Sequence, residues 1–359
     1  MNASPSHQPH PAEWTETQGL LPSAERDLPA GRHQLHKEQM MAQIHEDLRT
    51  ATATATRVAP VKRPNPFLRR TVLLPAMAFT LAGAVVGGLA LTGGGADDGK
   101  TALATGPALT TQVGTADAKG APGLLDRISL AAADTSVPTP HQGQYVYIAS
   151  KVASTYYRED GDDSKVVSDE LHSRQVWNSL DGKDGWLIEA GQTGDNGITL
   201  ASKVPLAGAY DALAELPTDP DALLQRIYRD SDAHRDAEVP RDQAAFVAIG
   251  DLLTESYPPA KVGAALYKAA AKIPGVVAVD DATDATGRHG IAIARENPAD
   301  GERTEWIFDK KSLRFLGERT VVVKKVADSR FKVGTVTFTS AITERSIVDA
   351  NKQIPGQAS

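Results

Sequence analysis

The longest apolar stretch of the chain is TVLLPAMAFTLAGAVVGGLALTG, residues 71–93, and it contains no charged side chain. Its length matches the roughly 20 residues that an α-helix needs to cross a bilayer. A buried helix of this length would normally present a polar face, which this segment lacks. We therefore predict a transmembrane helix over 71–93, and the long segment before it favours an uncleaved anchor over a cleaved signal peptide.

Charges on the two sides of this helix predict its orientation. Four basic residues precede it closely and two acidic residues follow it: Lys62, Arg63, Arg69 and Arg70, then Asp97 and Asp98. Because positive charge is retained on the cytoplasmic side, we expect a single-pass protein of the cell membrane with residues 1–70 in the cytoplasm and the C-terminal domain outside. Arg69 and Arg70 also fit the twin-arginine export pattern, so the twin-arginine and general routes both remain open.

Gly83 and Gly87 are four residues apart in the predicted transmembrane helix. Small residues at this spacing let two membrane helices approach closely. A homodimer through this pair is therefore one expectation for the membrane segment.

The cytoplasmic segment contains one amphipathic pattern, at about residues 31–49. Its apolar positions share one helical face: Met40, Met41, Ile44 and Leu48. A lone amphipathic helix cannot bury such a face by itself. We predict that this face binds a partner protein, a second copy of the chain or the membrane surface, with a helix that only frays in solution as the alternative.

The part after the membrane segment divides into a linker and a folded domain. Residues 94–122 are rich in Gly, Ala and Thr, which is typical of a linker, so we expect the domain over 123–359. The domain begins with β-type patterns in QYVYIASKVAS (144–154) and LHSRQVWNSLDGKDGWLIEAG (171–191). The turn signal Asp181-Gly182 predicts that the second pattern is a hairpin.

The middle of this domain changes to the helical period. Apolar residues recur three or four positions apart after each of three proline-containing starts, which predicts helices within 218–228, 240–253 and 258–273. Five strand patterns follow, from VVAVDD to VGTVTFTSAI. Strands, then helices, then strands indicate an α+β domain, in which an antiparallel meandering sheet carries an inserted group of about three helices.

Composition excludes several kinds of protein. The chain has 359 residues, a net charge of -7 and no cysteine. The acidic balance argues against nucleic acid as a partner, because phosphate neutralisation requires a basic surface. The lack of cysteine excludes disulfides, thiolate metal sites, a cysteine nucleophile and a cysteine-anchored lipid.

One motif matches a phosphate-binding loop: Gly94, four residues, then Gly99, Lys100 and Thr101. A working loop of this kind joins a strand to a helix whose N-terminus receives the phosphates. Here the loop follows the predicted membrane helix, and it contains two aspartates that would lie beside the phosphates. We interpret the match as a chance occurrence in a glycine-rich linker.

Candidate catalytic and metal-binding groups do not form a recognisable set. The histidines of the outer domain have no metal-ligand spacing: His141, His172, His234 and His289. Ser329 to Lys332 fits a serine-x-x-lysine pattern, but it lies between strand patterns and lacks partner motifs. Acidic clusters at 159–163 and 280–284 lack calcium-loop spacing and are typical of solvated turns. We predict no catalytic residue, no metal and no cofactor, and hence a protein that is not an enzyme.

Four stretches carry a resemblance to a known family: ERDLPAGRHQLHKEQMM, QYVYIAS, PPAKVGAALYKAAAKIPGV and WIFDKKSLRFLGE. Together with the order of elements, they resemble an uncharacterised family of actinobacterial single-span membrane proteins. Members of that family are often encoded beside extracytoplasmic-function sigma factors. The resemblance covers nearly the whole chain and implies a membrane-bound anti-sigma factor or regulator, with a sigma factor as the cytoplasmic partner.

The outer domain alone is similar to the half-barrel of periplasmic lipoprotein carriers and of the envelope-stress regulator that shares their fold. The likeness lies in the antiparallel sheet, the inserted helices and the late WIFD-x-x-x-L-x-F-L hairpin. The concave sheet face of those proteins accepts acyl chains, which implies a ligand groove here. Six aromatics expected on the sheet are its candidate lining, with ordinary core packing as the alternative: Tyr145, Tyr147, Trp177, Trp186, Trp306 and Phe308.

Two functional hypotheses follow from these patterns. The first is a transmembrane signalling protein, whose outer domain senses something at the envelope and whose cytoplasmic helix restrains or recruits a partner. The second is a membrane-anchored module that binds an envelope lipid or lipoprotein, for which the transmembrane helix is only an anchor.

Overall fold

The computed structural model of the protein describes residues 103–356, except 136–137, 161–162, 203–207, 234, 236–238 and 328. The predicted membrane helix with Gly83 and Gly87 lies outside the described residues, and so does the amphipathic helix with its four apolar positions, Met40, Met41, Ile44 and Leu48. Among the helices that are described, none combines the length and the apolar character needed to cross a membrane.

Twelve strands of the described part form one sheet in which all pairs are antiparallel. They are β1 (Thr105–Pro107), β2 (Ala116–Asp117), β3 (Tyr145–Asp160), β4 (Asp163–Asp169), β5 (His172–Ser179), β6 (Gly185–Glu189), β7 (Ile198–Thr199), β8 (Val276–Thr283), β9 (His289–Asn297), β10 (Glu302–Asp309), β11 (Phe315–Val322) and β12 (Val336–Val348).

The main path of the sheet follows the order β2-β8-β9-β10-β11-β12-β3-β5-β6-β7. Each strand from β8 to β12 pairs with the next, which confirms the predicted meander. The pairing of β12 with β3 joins this meander to the N-terminal strands. β3 pairs with β5 along one half and with β4 along the other, and β1 pairs with β4.

Five helices are described: α1 (Ala121–Asp134), α2 (Tyr210–Ala214), α3 (Pro220–Asp232), α4 (Arg241–Glu255) and α5 (Ala260–Ala270). Asp219 caps α3 by accepting a hydrogen bond from the Ala222 backbone N–H at 2.9 Å, and Pro220 fills the first helical position. α4 and α5 begin directly after Pro240 and Pro259. The three predicted helices and the α+β class are therefore confirmed.

Two parts of the structure differ from the expectations. The helices α1 and α2 were not predicted, and residues 103–122, which we expected within a linker, carry β1, β2 and the start of α1. Backbone pairing accounts for the second difference, because Thr111 N donates to Gly334 O and Val336 N donates to Leu109 O, both at 2.8 Å. Such bonds need no periodic side-chain pattern.

The helices cover one face of the sheet, which we call the helix face. All five helices contribute to an apolar core with side chains of β8, β9 and β10. Phe246 of α4 stacks on Trp306 of β10, with ring centroids 3.9 Å apart. Tyr267 of α5 meets Phe308 edge-on at 5.6 Å. This half of the helix face is thus closed by close-packed apolar side chains.

The opposite face of the sheet is covered by segments from both ends of the domain. Trp177 packs there with Tyr147 and Val348, and its Nε1 donates to the Gln353 carbonyl oxygen at 2.7 Å. Gly114, which precedes α1, lies so close to β8 that an added Cβ atom would be 2.6 Å from Val279 Cγ1. The two faces therefore have different covers, helices on one side and extended chain on the other.

Candidate functional site

A row of side chains crosses the helix face from β10 to β5. The pairing register places Trp306 opposite Glu318, Glu318 opposite Ser340, Ser340 opposite Val152, and Val152 opposite His172. Residues that pair across antiparallel strands project to the same face. The row therefore starts in the apolar core at Trp306 and ends among charged groups at His172.

Gly250 allows α4 to lie directly on this row. A Cβ atom at this position would be 2.5 Å from Trp306 Nε1 and 3.0 Å from Glu318 Oε2. The first distance is too short for any side chain unless its neighbours move. Phe246, one turn earlier in α4, stacks on the Trp306 ring. The backbone of α4 thus covers both Trp306 and Glu318.

Four buried polar atoms near this contact have no hydrogen-bond partner among the described residues: Trp306 Nε1, Thr254 Oγ1, Thr320 Oγ1 and Ser340 Oγ. Thr254 lies one turn after Gly250, and Thr320 lies two positions after Glu318 on β11, hence on the same face. All four residues are at most 3% exposed. Buried polar atoms without partners mark places that water, an ion or a ligand completes. We call Glu318, Asp251 and these four residues the α4 seam.

The two carboxyl groups of the α4 seam lack a cation. Glu318 is 6% exposed, and Asp251 of α4 is partly exposed. No ion pair or hydrogen bond with a described residue involves either carboxylate. Burial raises the pKa of Glu318 to about 8, with the charge of Glu255 adding to the shift. Burial, together with the charges of Glu318 and Glu255, raises the pKa of Asp251 well above its usual range.

Charges beside the α4 seam, toward β5 and β6, are paired. Arg174 donates to Glu189 at 3.1 Å and to Glu255 of α4 at 2.8 Å. The His172 ring lies 3.4 Å from Glu189 and 2.9 Å from the Glu170 carbonyl oxygen. Burial disfavours the charged form of His172, but the contacts with Glu189 and Glu170 outweigh burial and raise its pKa. Arg174 therefore ties α4 to this side of the sheet.

Arg345 of β12 holds the C-terminal end of α4. Its guanidinium donates to the Leu253 carbonyl oxygen and lies 5.6 Å from the centre of the Tyr257 ring. A cation at this end of a helix interacts favourably with the helix dipole. α4 is thus held by a stacked ring in its first half and by ionic contacts at its end, with the α4 seam between them.

The opposite face of β10 and β11 also buries charge, in what we call the Glu305 triad. Glu305 accepts hydrogen bonds of 2.7 Å from Arg303 Nε on one oxygen and from Arg319 Nε on the other. Arg319 also donates to the Thr111 hydroxyl at 3.0 Å and to the Thr283 carbonyl oxygen at 2.9 Å. Because both oxygens of Glu305 have cationic partners, the triad has the features of a structural ion network.

Comparison with known proteins does not identify the α4 seam. No protein-family model and no curated protein matches this chain. The chemistry of the seam must therefore be inferred from its own groups. In the part of the chain that the structure describes, no three His, Asp or Glu side chains are grouped so that they could hold a metal ion. The seam instead presents carboxyl and hydroxyl oxygens and one indole N–H, which suit a polar or cationic group.

The six aromatics predicted to line a groove lie on different faces. Trp306 and Phe308 are in the core of the helix face. The others pack together on the opposite face: Tyr145, Tyr147, Trp177 and Trp186. There the rings of Tyr147 and Trp177 are 5.0 Å apart, and Lys352 lies 3.3 Å from the centre of the Trp186 ring. A single groove lined by all six is therefore not formed.

The other motifs of the sequence do not form part of the α4 seam. Of the histidines, His172 is near it, whereas His234 is outside the described residues. Ser329 lies in the loop between β11 and β12, with its hydroxyl 3.4 Å from that of Tyr157. The acidic cluster at 280–284, which we expected to be a solvated turn, instead lies largely in β8, and Asp284 is buried and forms an ion pair with Arg288.

A cavity of about 520 Å³ lies between β1 and the turn from β4 to β5. Residues 104–110 and 168–171 line it, and none of the six predicted groove aromatics does. The cavity is separate from the α4 seam, since no residue of α4 contributes to its walls.

Sequence reasoning missed the acidic residues of the α4 seam, although a signal was present. Asp251 interrupts the apolar run FVAIGDLL, and Glu318 interrupts FLGERTVVV. A charge at a core position of a helix or strand is uncommon unless it is paired or functional. What the sequence alone does not contain is the register that brings these two interruptions together.

Proposed function

We propose that this protein is a single-pass membrane sensor and regulator, with a binding rather than a catalytic role. Its outer α+β domain receives a signal at the envelope. Its N-terminal helix, around residues 31–49, restrains or recruits a cytoplasmic protein, for which a sigma factor is the candidate that the family resemblance implies. The glycine pair Gly83 and Gly87 offers a dimer contact within the membrane.

The main support for this proposal is the α4 seam, in which the carboxyl groups of Glu318 and Asp251 lack a cation. The helix α4 carries Asp251 and lies on the buried Glu318. The free energy with which α4 is attached therefore depends on what neutralises these two groups. Protonation of these carboxyl groups, or a cation bound to them, favours the packing of α4 on the sheet. Their ionisation without a counter-charge disfavours that packing. The position of α4 would therefore respond to pH or to a bound cation. A sensor domain requires an element of this kind.

The output side is proposed to act through Met40, Met41, Ile44 and Leu48. An amphipathic helix of this kind binds by placing its apolar residues in a groove of the partner. Of these residues, Met41 and Ile44 lie near the middle of the predicted helix, where we expect the loss of apolar anchors to weaken binding most.

The test is a crosslinking pull-down of the full-length protein from native membranes, followed by mass spectrometry. We expect a cytoplasmic regulator that is lost in the double variant Met41→Asp with Ile44→Asp. The matched control places the same two charges on the other side of the predicted helix, as Gln39→Asp with Ala42→Asp, and retains the partner. Equal recovery with both double variants, or no cytoplasmic protein at all, would contradict the signalling proposal.

A second candidate is a membrane-anchored module that binds an envelope lipid or lipoprotein. It is favoured by the antiparallel sheet with helices inserted between β7 and β8 and packed on one face, which is the arrangement of the half-barrel carriers. Against it, Phe246 and Tyr267 fill the helix face at Trp306 and Phe308, so an acyl chain would have to displace α4 or α5. Lipid mass spectrometry of the purified full-length protein tests it, because a carrier retains a stoichiometric acyl ligand.

A further inference from the structure

Five side chains of the α4 seam have polar atoms that no other described residue engages: Glu318, Trp306, Thr254, Thr320 and Ser340. They converge because three of them share one cross-strand row and Thr254 extends it on α4, next to Gly250. An acidic cluster alone would not indicate a ligand. Here the buried Trp306 Nε1 and the Glu318 carboxylate both lie close to Gly250, and neither has a hydrogen bond with a described residue.

The chemistry of these groups restricts what can occupy the α4 seam. Ionised Glu318 and Asp251 are acceptors only, the hydroxyls can accept, and the Trp306 indole can only donate. Two guanidiniums contact the end of α4: that of Arg174 is shared by Glu189 and Glu255, and that of Arg345 donates to the Leu253 carbonyl oxygen. An occupant that satisfies the carboxylates and hydroxyls of the seam therefore carries positive charge and several N–H donors.

The α4 seam also has a route to solvent. Asp251 is partly exposed, and the side chain of Glu255, one turn later on α4, is 17% exposed. The seam therefore reaches solvent at Asp251, whereas Arg174 beside it is buried and the other edge of α4 is closed by the stacking of Phe246 on Trp306.

We propose that the α4 seam binds a primary ammonium group, with Glu318 and Asp251 as its counter-charges and the hydroxyls of Ser340 and Thr254 as further acceptors. This inference rests on the sensor role proposed for the outer domain, and it names the chemistry of the input. A soluble amine and the ethanolamine headgroup of a lipid share this chemistry.

The test compares ethanolamine with choline, which has the same hydroxyl but no N–H donor. Full-length protein in phosphatidylcholine nanodiscs is heated at about pH 8.5, where Glu318 is mainly ionised. We expect ethanolamine to raise Tm by about 3–5 °C for each tenfold increase in concentration above Kd. Choline should raise Tm no more than sodium chloride at the same ionic strength. A second set of nanodiscs, with phosphatidylethanolamine and no added amine, shows whether the lipid headgroup is the source.

Variants connect the effect to the α4 seam. Glu318→Gln keeps the shape of the side chain and removes its charge, so the rise in Tm with ethanolamine should be lost. Glu296→Gln makes the same chemical change at an exposed position of β9 and should leave the rise intact. Asp251→Asn provides a second test inside the seam if Glu318→Gln changes the fold.

Equal shifts with ethanolamine and choline would overturn the proposal, and so would a full shift in both seam variants. An absence of any shift, in solution and with phosphatidylethanolamine, would mean that only water and protons occupy the seam. None of these outcomes affects the pull-down, which depends on residues 31–49. The failure of this inference can therefore be told apart from a failure of the proposed function.

Discussion

Glu305 and Glu318 are buried carboxyl groups on neighbouring strands, β10 and β11, but on opposite faces of the sheet. Glu305 has an arginine on each oxygen and lies beneath extended chain. Glu318 has no cation, lies beneath α4, and has a pKa raised to about 8 by burial. Both are glutamates at buried strand positions, but Glu305 is paired with cations and Glu318 is not.

The two glutamates therefore have different roles. Glu305 stabilises the fold, whereas the charge of Glu318 changes with its environment. A buried ion pair with good geometry keeps its charge over the usual pH range, whereas an unpaired buried acid changes its charge where its pKa lies. The Glu305 triad therefore has the properties of a fixed support. The α4 seam has the properties of a site whose state depends on pH and on what is bound.

The largest expected effect separates the two glutamates directly. Glu305→Gln leaves Arg303 and Arg319 buried without their counter-charge, which typically costs about 3–5 kcal/mol. We expect a loss of this size in the free energy of unfolding of the full-length protein, measured by urea denaturation with near-UV circular dichroism. Glu318→Gln at about pH 8 should be neutral or stabilising, because it removes an unpaired buried acid. An equally large loss for Glu318→Gln would contradict the comparison.

The pH dependence of stability should follow Glu318. Its pKa is about 8 in the folded protein against an ordinary 4.5, so the folded state binds the proton more tightly. Between these values unfolding releases a proton, and the free energy of unfolding therefore falls as pH rises, by about 1.4 kcal/mol per pH unit for this group. The raised pKa values of Asp251 and His172 act in the same direction.

Urea titrations at several pH values between about 5 and 8 measure this slope. Glu318→Gln should flatten it, whereas Glu296→Gln, at an exposed position, should not. A slope that is unchanged by Glu318→Gln would show that another group causes the pH dependence.

The contact of α4 with the α4 seam can be tested sterically. Gly250→Ala places a Cβ atom 2.5 Å from Trp306 Nε1, which should force α4 outward and reduce stability by about 1–3 kcal/mol. Gly263→Ala in α5 is the matched control, because the nearest atom to its added Cβ is Pro258 Cγ at 3.8 Å. That change should stabilise by about 0.5–1 kcal/mol through helix propensity. Thermal unfolding of the two variants should therefore shift in opposite directions.

The smallest expected effect compares a hydroxyl of the α4 seam with a bonded hydroxyl. Ser340→Ala removes a buried group without a partner, so we expect a change of less than about 1 kcal/mol, in the stabilising direction. Thr155→Val removes a hydroxyl that donates to the Val336 carbonyl oxygen at 2.7 Å and should cost about 1 kcal/mol. Urea denaturation measures the free energy of unfolding of both variants. A larger loss of stability for Ser340→Ala than for Thr155→Val would indicate that the Ser340 hydroxyl makes a hydrogen bond.

Local signals explain which elements could be predicted from the sequence. The hairpin at Asp181-Gly182 and the helix that begins after Asp219 carry their own turn and cap residues, and both are confirmed. The short helix α2, five residues long, and the strands β1 and β2, three and two residues long, are too brief to show a period. They depend on contacts with distant parts of the chain.

The α4 seam could not be predicted because it depends on register. Alternation along β10 shows that Trp306 and Glu305 face opposite ways, but not which of them faces the helices. The pairing of β10 with β11 decides that Trp306 lies beside Glu318, and the packing of α4 adds Asp251 and Thr254. For the same reason Trp177 and Trp306 occupy different faces, although both were expected to line one groove.

Hydrogen–deuterium exchange of the full-length protein tests the central claim, that the attachment of α4 depends on the state of the α4 seam. We expect α4 to lose protection relative to α5 between about pH 6 and pH 8.5, after correction for intrinsic exchange, because Glu318 ionises in this range. Ethanolamine at the higher pH should restore the protection of α4. If α4 and α5 keep the same relative protection under all three conditions, the α4 seam does not control the attachment of the helix.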